Sequence, residues 1–368
     1  MKIVRAWFER HFSDPQVVGL ALVLLAGFAI IMLAGEMLAP VIASIIIAYL
    51  LVGPVNYLQD KGVPRLLAVT LVSLGFLAFV FFVMFALLPM LSRQASQLIQ
   101  QLPQILLSGQ DLLLQLPSRY PELFSEAQVR DLIHSIRVET FAYGQKVVSL
   151  SLASVVGVLT IVVYVILVPL LVFFFLKDKE RILAWFLNFV PPERHLLSQV
   201  WTDMDMQIGN YVRGKFIEIL IVWLVTFVTF SIMGMDFAML LGVVVGLSVL
   251  IPYIGAAAAT FPVAVLAYFQ WGVGSDFVYV LIAYAVIQAL DGNVLVPLLF
   301  SEVVNLHPVA IIVAVLIFGG LWGFWGVFFA IPLATLVQAV LKAWPTKPRA
   351  AEASAESGSG SESKEAAE

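Results

Sequence analysis

Long apolar runs separated by short polar segments dominate the chain. A transmembrane helix needs about 20 mostly apolar residues, and several of these runs reach that length. In chain order, the apolar runs are 17–34, 37–52, 66–91, 148–176, 217–233, 237–250, 254–269, 277–300 and 309–341. The pattern predicts an all-α polytopic membrane protein with about eight transmembrane helices.

Two polar segments interrupt this pattern. Residues 92–147 carry apolar positions at helical spacing, which predicts an extramembrane helical insert with one apolar face. Residues 177–215 predict cytoplasmic amphipathic helices, with an apolar stripe of Leu197, Val200, Met204, Ile208 and Tyr211. The remaining divisions are transmembrane helices in 1–91 and 148–176, a C-terminal transmembrane core in 216–344, and an Ala-, Ser-, Glu- and Gly-rich tail, 345–368, that we expect to be disordered.

The composition supports this class and narrows the chemistry. Hydrophobic residues make up 61% of the chain and charged residues 12%, against about 25% charged residues in ordinary soluble domains. The chain has no cysteine, which excludes disulfides and thiolate chemistry. It also lacks a nucleophile-elbow, Walker A or HExxH motif. We therefore expect no enzymatic activity, no cofactor, no metal site and no nucleic-acid partner.

Basic residues orient the predicted spans, because cytoplasmic loops of membrane proteins carry an excess of Lys and Arg. A cytoplasmic N-terminus places 15 of the 20 Lys and Arg residues inside and leaves the five of the 92–147 insert outside. We therefore expect a multi-pass protein of the bacterial inner membrane, with a periplasmic insert and both termini in the cytoplasm.

This orientation constrains the late segments. Four apolar runs follow the span at 217–233, yet four full crossings would leave the tail outside. One run must therefore re-enter the membrane without crossing it. The interrupted stretch 277–300 is the first candidate, and the Gly-rich stretch 318–326 is the second.

The stretch 277–300 also contains the sharpest candidate site. Asp291, Gly292 and Asn293 interrupt its apolar run, within 126 residues that hold no Lys or Arg. A carboxylate at that depth costs roughly 2.5–3.5 kcal/mol on insertion scales and commonly marks a transport path. Gln288 lies one turn earlier on the same helical face, so these side chains can hold a polar solute or a cation. The alternative is a structural turn in which Asp291 caps the next helix.

Other residues near this stretch are weaker candidates for the path. Pro252 and Tyr253 predict a kink in the preceding hairpin, and Tyr253 either lines a pore or belongs to an interfacial aromatic belt. Glu302 and His307 follow the stretch, and His307 is either a path residue or part of an interfacial turn. Helix breaks and small-residue contacts are predicted at Gly255, Gly292, Pro297, Gly319, Gly320, Gly323, Gly326 and Pro332.

Charged residues outside this stretch add little to the predicted site. Glu218 follows Lys215 at a spacing of three residues, which favours a local ion pair over a transport acid. Because no basic residue lies near Asp291 in the sequence, a strongly anionic substrate is less natural.

Five segments together resemble the autoinducer-2 exporter (AI-2E) family of bacterial membrane permeases, and among its branches the PerM-type permeases. They are IPYIG at 251–255, QALDGNVLVPLLFSEVVNLHP at 288–308, FGGLWGFWGVFFAIPL at 318–333, FFFLKDKE at 173–180 and YVRGK at 211–215. The resemblance implies export of small hydrophilic signals in one branch, Na⁺(Li⁺)/H⁺ antiport in another, and a homo-oligomer such as a pentamer.

These observations favour a permease that moves a small polar solute across the lipid bilayer. Because no nucleotide-binding motif is visible, transport is either passive or coupled to a proton or cation gradient. A Na⁺(Li⁺)/H⁺ antiporter is the alternative within the same class. A membrane scaffold that recruits a cytoplasmic partner through 177–215 is the alternative of another class.

Overall fold

The computed structural model describes residues 15–119, 155–188, 195–252, 254–300 and 306–343, together with positions 125, 131 and 135. The described residues are mostly helical and contain no strand, which confirms the all-α class. Among them, six helices are long and apolar enough to cross a membrane, or seven when one bent pair is counted as a span. The predicted number of about eight is therefore approximate.

The helices are numbered in chain order. They are α1 (Pro15–Asp60), α2 (Arg65–Phe82), α3 (Leu88–Arg119), α4 (Val155–Lys177), α5 (Lys179–Leu187), α6 (His195–Ile232), α7 (Ala238–Ser248), α8 (Ile254–Trp271), α9 (Ser275–Leu290), α10 (Val296–Phe300), α11 (Pro308–Phe328) and α12 (Ala330–Ala343). Two π turns join consecutive helices without a break: the first π turn, Val83–Leu87, and the second π turn, Asp291–Leu295.

The N-terminal region holds fewer, longer helices than the sequence predicts. Helix α1 runs for 46 residues, so the prediction of separate spans at 17–34 and 37–52 is wrong. Glu36 does not end the helix, because glutamate is a good helix former. Within α1, the portion Met37–Asp60 qualifies as a membrane span.

Helices α2 and α3 form one continuous rod, although the sequence predicts that the span ends at Pro89. In a regular helix, the ring of Pro89 would clash with the carbonyl of Phe85, four residues earlier. The first π turn contains Phe85 and widens the backbone there, with the Leu88 N–H donating to the carbonyl of Val83. The first part of the 92–147 insert, through Arg119, is therefore a continuation of this rod.

Helix α6 is also continuous, and it crosses the predicted boundary at residue 215. Its N-terminal half is not a free amphipathic helix. Met204 and Tyr211 are buried, and Ile208 packs beside Tyr211 in a cluster that includes Leu50 of α1. These three residues of the predicted apolar stripe thus pack within the chain, and the side chains of Leu197 and Val200 lie outside the described part of the structure.

Helices α7 and α8 form a tight hairpin that packs against α6. A Cβ built on Gly255 would lie 1.7 Å from the carbonyl oxygen of Ser248, so the two helix ends touch backbone to backbone. A Cβ on Gly246 would lie 2.7 Å from the Cβ of Trp223 in α6, so glycine allows this close helix contact. The apolar core cluster around this hairpin includes Val245, Val263 and Val280.

The interruption predicted at Asp291 is a π turn, and α9, this turn and α10 form one continuous helical stretch that is long and apolar enough to cross a membrane, which argues against re-entry at 277–300. The chain instead reverses at Gly323, whose φ of 58° is open to glycine at little cost. A Cβ on Gly326 would lie 1.8 Å from the carbonyl oxygen of Phe318, whereas eight residues of straight helix rise about 12 Å. The second candidate for a reversal is therefore where the backbone turns.

The other predicted packing positions differ in their surroundings. Gly319 contacts Val327 across the reversal, Gly320 has open space around it, and Pro332 is buried in the first turn of α12.

Candidate functional site

A cavity of about 460 Å³ lies among the ends of the C-terminal helices. Its walls come from α6, from the turn between α7 and α8, from the span that holds the second π turn, and from the starts of α11 and α12. The lining residues are Tyr211, Lys215, Glu218, Val249, Ile251, Pro252, Ala256, Gln288, Asp291, Gly292, Val296, Pro297, Phe300, Leu306, Pro308, Ile311 and Ile331.

Buried charged side chains are concentrated in this cavity. Among the described residues, three charged side chains are buried, namely Lys215, Glu218 and Asp291, and all three line the cavity. The Nζ of Lys215 donates to Oε2 of Glu218 at 2.8 Å, with side-chain exposures of 5% and 2%. Taking an ion out of water costs several kcal/mol, so such a pair persists only with good geometry.

Helix α6 comes close to α10 at Gly214, which positions Lys215. A Cβ on Gly214 would lie 2.9 Å from Cε1 of Phe300, so a larger residue would push the two helices apart. The Nζ of Lys215 lies 5.5 Å from the centre of the Phe300 ring, within range of a cation–π contact. One turn earlier, the Tyr211 hydroxyl donates to the carbonyl of Phe328 at 2.9 Å and ties α6 to the end of α11.

Asp291 is the first residue of the second π turn and lines the cavity. Its side chain is buried, and its Oδ1 has no hydrogen-bond partner among the described residues. Gln288 also lines the cavity, and its Nε2 likewise lacks a partner. One acceptor and one donor are thus left without a protein partner in neighbouring turns of one helix.

The predicted path residues divide into those that reach this cavity and those that do not. Gln288, Asp291 and Pro252 line it, as do Gly292 and Pro297. Asn293 is exposed, and its Nδ2 donates to the carbonyl of Ala289 at 2.8 Å. Tyr253 and Glu302 lie outside the described residues.

His307 belongs to a turn, which favours the interfacial-turn interpretation over the path interpretation. It is exposed at the N-terminus of α11, where its Nδ1 accepts from the Val309 N–H at 3.3 Å and Pro308 occupies the first helical position. The alternative in which Asp291 caps a new helix does not hold, because Asp291 has helical backbone angles inside a continuous helix.

Sequence reasoning missed the contribution of α6 to the site. The predicted ion pair between Lys215 and Glu218 is present, but it is buried in the cavity with Asp291, so the argument that no base lies near Asp291 is wrong. A signal was available, because Tyr211, Lys215 and Glu218 are spaced by four and three residues on one face of an apolar helix. Such spacing does not say which other helix that face meets.

Known proteins resemble the chain over most of its length. Residues 20–346 match the family described as AI-2E family transporter. The chain is 47% identical over 345 residues to "Putative permease PerM" of Escherichia coli strain K12, covering 94% of this chain and 98% of that protein. It is 26% identical to "Putative transport protein YueF" of Bacillus subtilis, over 80% of each chain. The chain therefore belongs to the AI-2E family of transporters and, like them, is a multi-pass membrane protein.

Proposed function

We propose that the chain carries a small polar solute through the cavity at Asp291, coupled to a proton or a cation. The observation that supports this most is that the buried charged side chains of the described residues, Lys215, Glu218 and Asp291, all line one cavity. A helical bundle with only a structural role gains little from burying three charges, since apolar residues of similar volume often serve stability as well or better. A role in transport would explain why these three buried charges are present.

The unpaired atoms indicate what kind of solute fits. Oδ1 of Asp291 needs a donor, and Nε2 of Gln288 needs an acceptor. Leaving a buried polar atom unsatisfied costs about 1–3 kcal/mol. A neutral solute that both donates and accepts hydrogen bonds would satisfy both atoms at once.

The charge balance of the cavity supports coupling. With both acids and the base ionised, Glu218, Asp291 and Lys215 sum to −1. One proton or one monovalent cation neutralises the site, and Asp291 is the acid without an ion-pair partner among the described residues. Intramembrane acids of this kind commonly relay protons in transporters. The same balance leaves Na⁺(Li⁺)/H⁺ antiport as the alternative, with the cation itself as the cargo.

The scaffold alternative has less support. The predicted docking stripe in 177–215 is not free to meet a partner, because Met204, Ile208 and Tyr211 pack within the chain. Exposed apolar side chains of the segment, such as Trp185 and Phe186, lie elsewhere.

Orientation and assembly are part of the proposal. From the family resemblance, we place the chain in the bacterial inner membrane as a homo-oligomer. From the Lys and Arg distribution, we place both termini in the cytoplasm and the 92–147 insert in the periplasm. Because the chain has no cysteine, a Ser118→Cys variant carries a single thiol. We expect it to react with a membrane-impermeant thiol reagent in cells whose outer membrane is permeabilised. Labelling only after lysis would reverse the orientation.

The coupling role is tested by Asp291→Asn, which keeps the size of the side chain and removes its charge. The protein is reconstituted in liposomes, a gradient of Na⁺ or of a small polyol is imposed, and internal pH is followed with a trapped dye. We expect gradient-driven proton movement in the wild type and none in Asp291→Asn, with an unchanged thermal melt. A response to the polyol supports the solute permease, and a response to Na⁺ alone supports the antiporter.

Asn293→Ala is the matched control, because Asn293 lies two residues away but is exposed and bonded to its own helix. It should transport like the wild type. Wild-type flux and pH dependence in Asp291→Asn would refute the coupling role. Loss of yield or melting temperature together with flux would make Asp291 structural.

A further inference from the structure

Helix α5 leaves the end of a membrane-facing helix at a steep angle. It follows α4 after Asp178, and the two helices are bent by 78°. Helix α4 is apolar up to Lys177, whereas α5 begins with Lys179, Glu180 and Arg181. A first turn with three charged residues is too costly to continue through hydrocarbon. A helix nearly perpendicular to a spanning helix therefore runs along the membrane surface.

Polar contacts fix which side of α5 faces the protein. Nη1 of Arg65, at the start of α2, donates to Oε1 of Glu180 at 2.5 Å. Nζ of Lys179 lies 3.7 Å from Oδ2 of Asp205 in α6, and Asp205 also accepts from the Tyr49 hydroxyl of α1. Helices α2 and α6 thus contact the charged turn of α5, and α1 positions Asp205 of α6.

The last turn of α5 presents large apolar side chains to the surroundings. Trp185 is 56% exposed, Phe186 58% and Leu187 44%. A hydrophobic surface of this kind on a short surface helix is usually covered by a partner or by lipid.

Continuity with α4 points to lipid. Ile166, Leu170 and Phe174 recur every four residues on the outer face of α4, and all are exposed, as expected for a surface that faces acyl chains. At the end of this face, Lys177 is exposed with its Nζ 6.0 Å from the rings of Phe173 and Phe174. A lysine that lies over apolar rings and keeps its charge in water marks the level of the interface.

We propose that α5 is an interfacial helix whose Trp185, Phe186 and Leu187 insert into the boundary between lipid headgroups and acyl chains. Tryptophan and phenylalanine at the end of a helix that lies in the surface plane suit this boundary. The occupant of this surface is thus the bilayer itself. The proposal is independent of which solute the cavity carries.

The test uses the absence of cysteine from the chain. A spin label on Phe186→Cys is compared, in liposomes, with the same label on Ser198→Cys, which is exposed on the first turn of α6. Collisions with oxygen, which concentrates in lipid, and with a water-soluble nickel chelate give the depth of each label. We expect position 186 to favour oxygen at a depth of about 5–10 Å, and position 198 to favour nickel.

Two outcomes would overturn the proposal. If the label at position 186 collides with nickel as often as the label at 198, α5 lies in water. If it is shielded from both reagents, a protein surface covers α5, either a second copy or a partner. Since each substitution replaces one exposed residue, folding is checked by the melting temperature, and Leu187→Cys provides a second label on the same turn.

Discussion

The two π turns of this protein arise from the same backbone cause and serve different ends. Each is followed by a proline one residue beyond its closing hydrogen bond, Pro89 after the first π turn and Pro297 after the second. A proline ring clashes with the carbonyl four residues earlier, and in both cases that carbonyl lies inside the π turn. The wide turn thus accommodates the proline and keeps the helix continuous.

The two π turns differ in the side chains they carry. The first π turn, Val83–Leu87, is apolar, and none of its residues is buried. The second begins with Asp291, which is buried beside a cavity that also contains Lys215 and Glu218. A π turn is therefore not in itself a sign of function in this chain. The side chain that the turn places, and the charges it meets on α6, make the difference.

The largest effect on stability is expected from removing a buried charge near the second π turn. Lys215→Met removes the partner of Glu218 and leaves buried negative charge uncompensated. We expect the free energy of unfolding to fall by roughly 3–5 kcal/mol, the usual cost of such a change. We expect a clearly lower melting temperature in detergent. Arg65→Gln breaks the exposed pair with Glu180 and should cost about 1 kcal/mol or less.

A double variant sharpens this result. Lys215→Met combined with Glu218→Gln removes both members of the pair, so part of the lost stability should return. Equal melting temperatures for Lys215→Met and Arg65→Gln would mean that the Lys215–Glu218 pair is solvated rather than buried.

The next largest effect is a difference in transport between variants that replace the proline after each π turn. Pro297→Ala restores a backbone N–H and removes the clash, so the second π turn can tighten to a regular helix. Closing the π turn removes its one extra residue, which rotates the helix before the turn by about 100° relative to the helix after it. This rotation would turn Asp291 out of the cavity. We expect proton-coupled flux to fall steeply in Pro297→Ala while the melting temperature holds.

Pro89→Ala is the matched substitution in the first π turn, where no polar residue depends on the register. It should leave flux unchanged. If both variants transport normally, the proline does not set the orientation of Asp291, and the shared cause of the two turns is wrong.

A smaller effect is expected from glycines on either side of the cavity. Gly214→Ala places a Cβ 2.9 Å from the Phe300 ring, and overpacking of this kind costs about 1–3 kcal/mol. Gly292→Ala meets nothing within 4 Å and should change stability by about 1 kcal/mol or less, in the favourable direction. Thermal melts of both variants check the contrast, and a reversed order would place the close contact elsewhere.

Much of this architecture could be predicted from the sequence, because hydrophobic runs and a lone acid are local signals. The all-α membrane class and the position of Asp291 and Gln288 at a cavity follow from such signals. The continuity of the helices through Pro89 and Asp291 does not, since proline, glycine and aspartate are usual helix breakers and π turns have no simple pattern.

The position of Lys215 could not be predicted for another reason. It lies 76 residues before Asp291, and the contact depends on which face of α6 packs against α10. The close approach at Gly214 and the hydrogen bond of Tyr211 help to fix that face. In a run of apolar residues, the hydrophobic pattern is nearly the same all round the helix and does not select a packing direction.

The short helix α7 has a consequence for the distance that a solute must travel. Its 11 residues rise about 16 Å, roughly half of the 30 Å thickness of a bilayer core. The turn that follows it, with Val249, Ile251 and Pro252, lines the cavity. Suppose that α7 enters from one membrane surface and that water reaches the cavity from the other surface. A solute then has to cross only the half of the bilayer thickness in which α7 and α8 are packed. The permeability barrier is then a layer of side chains such as Val245 and Val263 rather than a full bilayer.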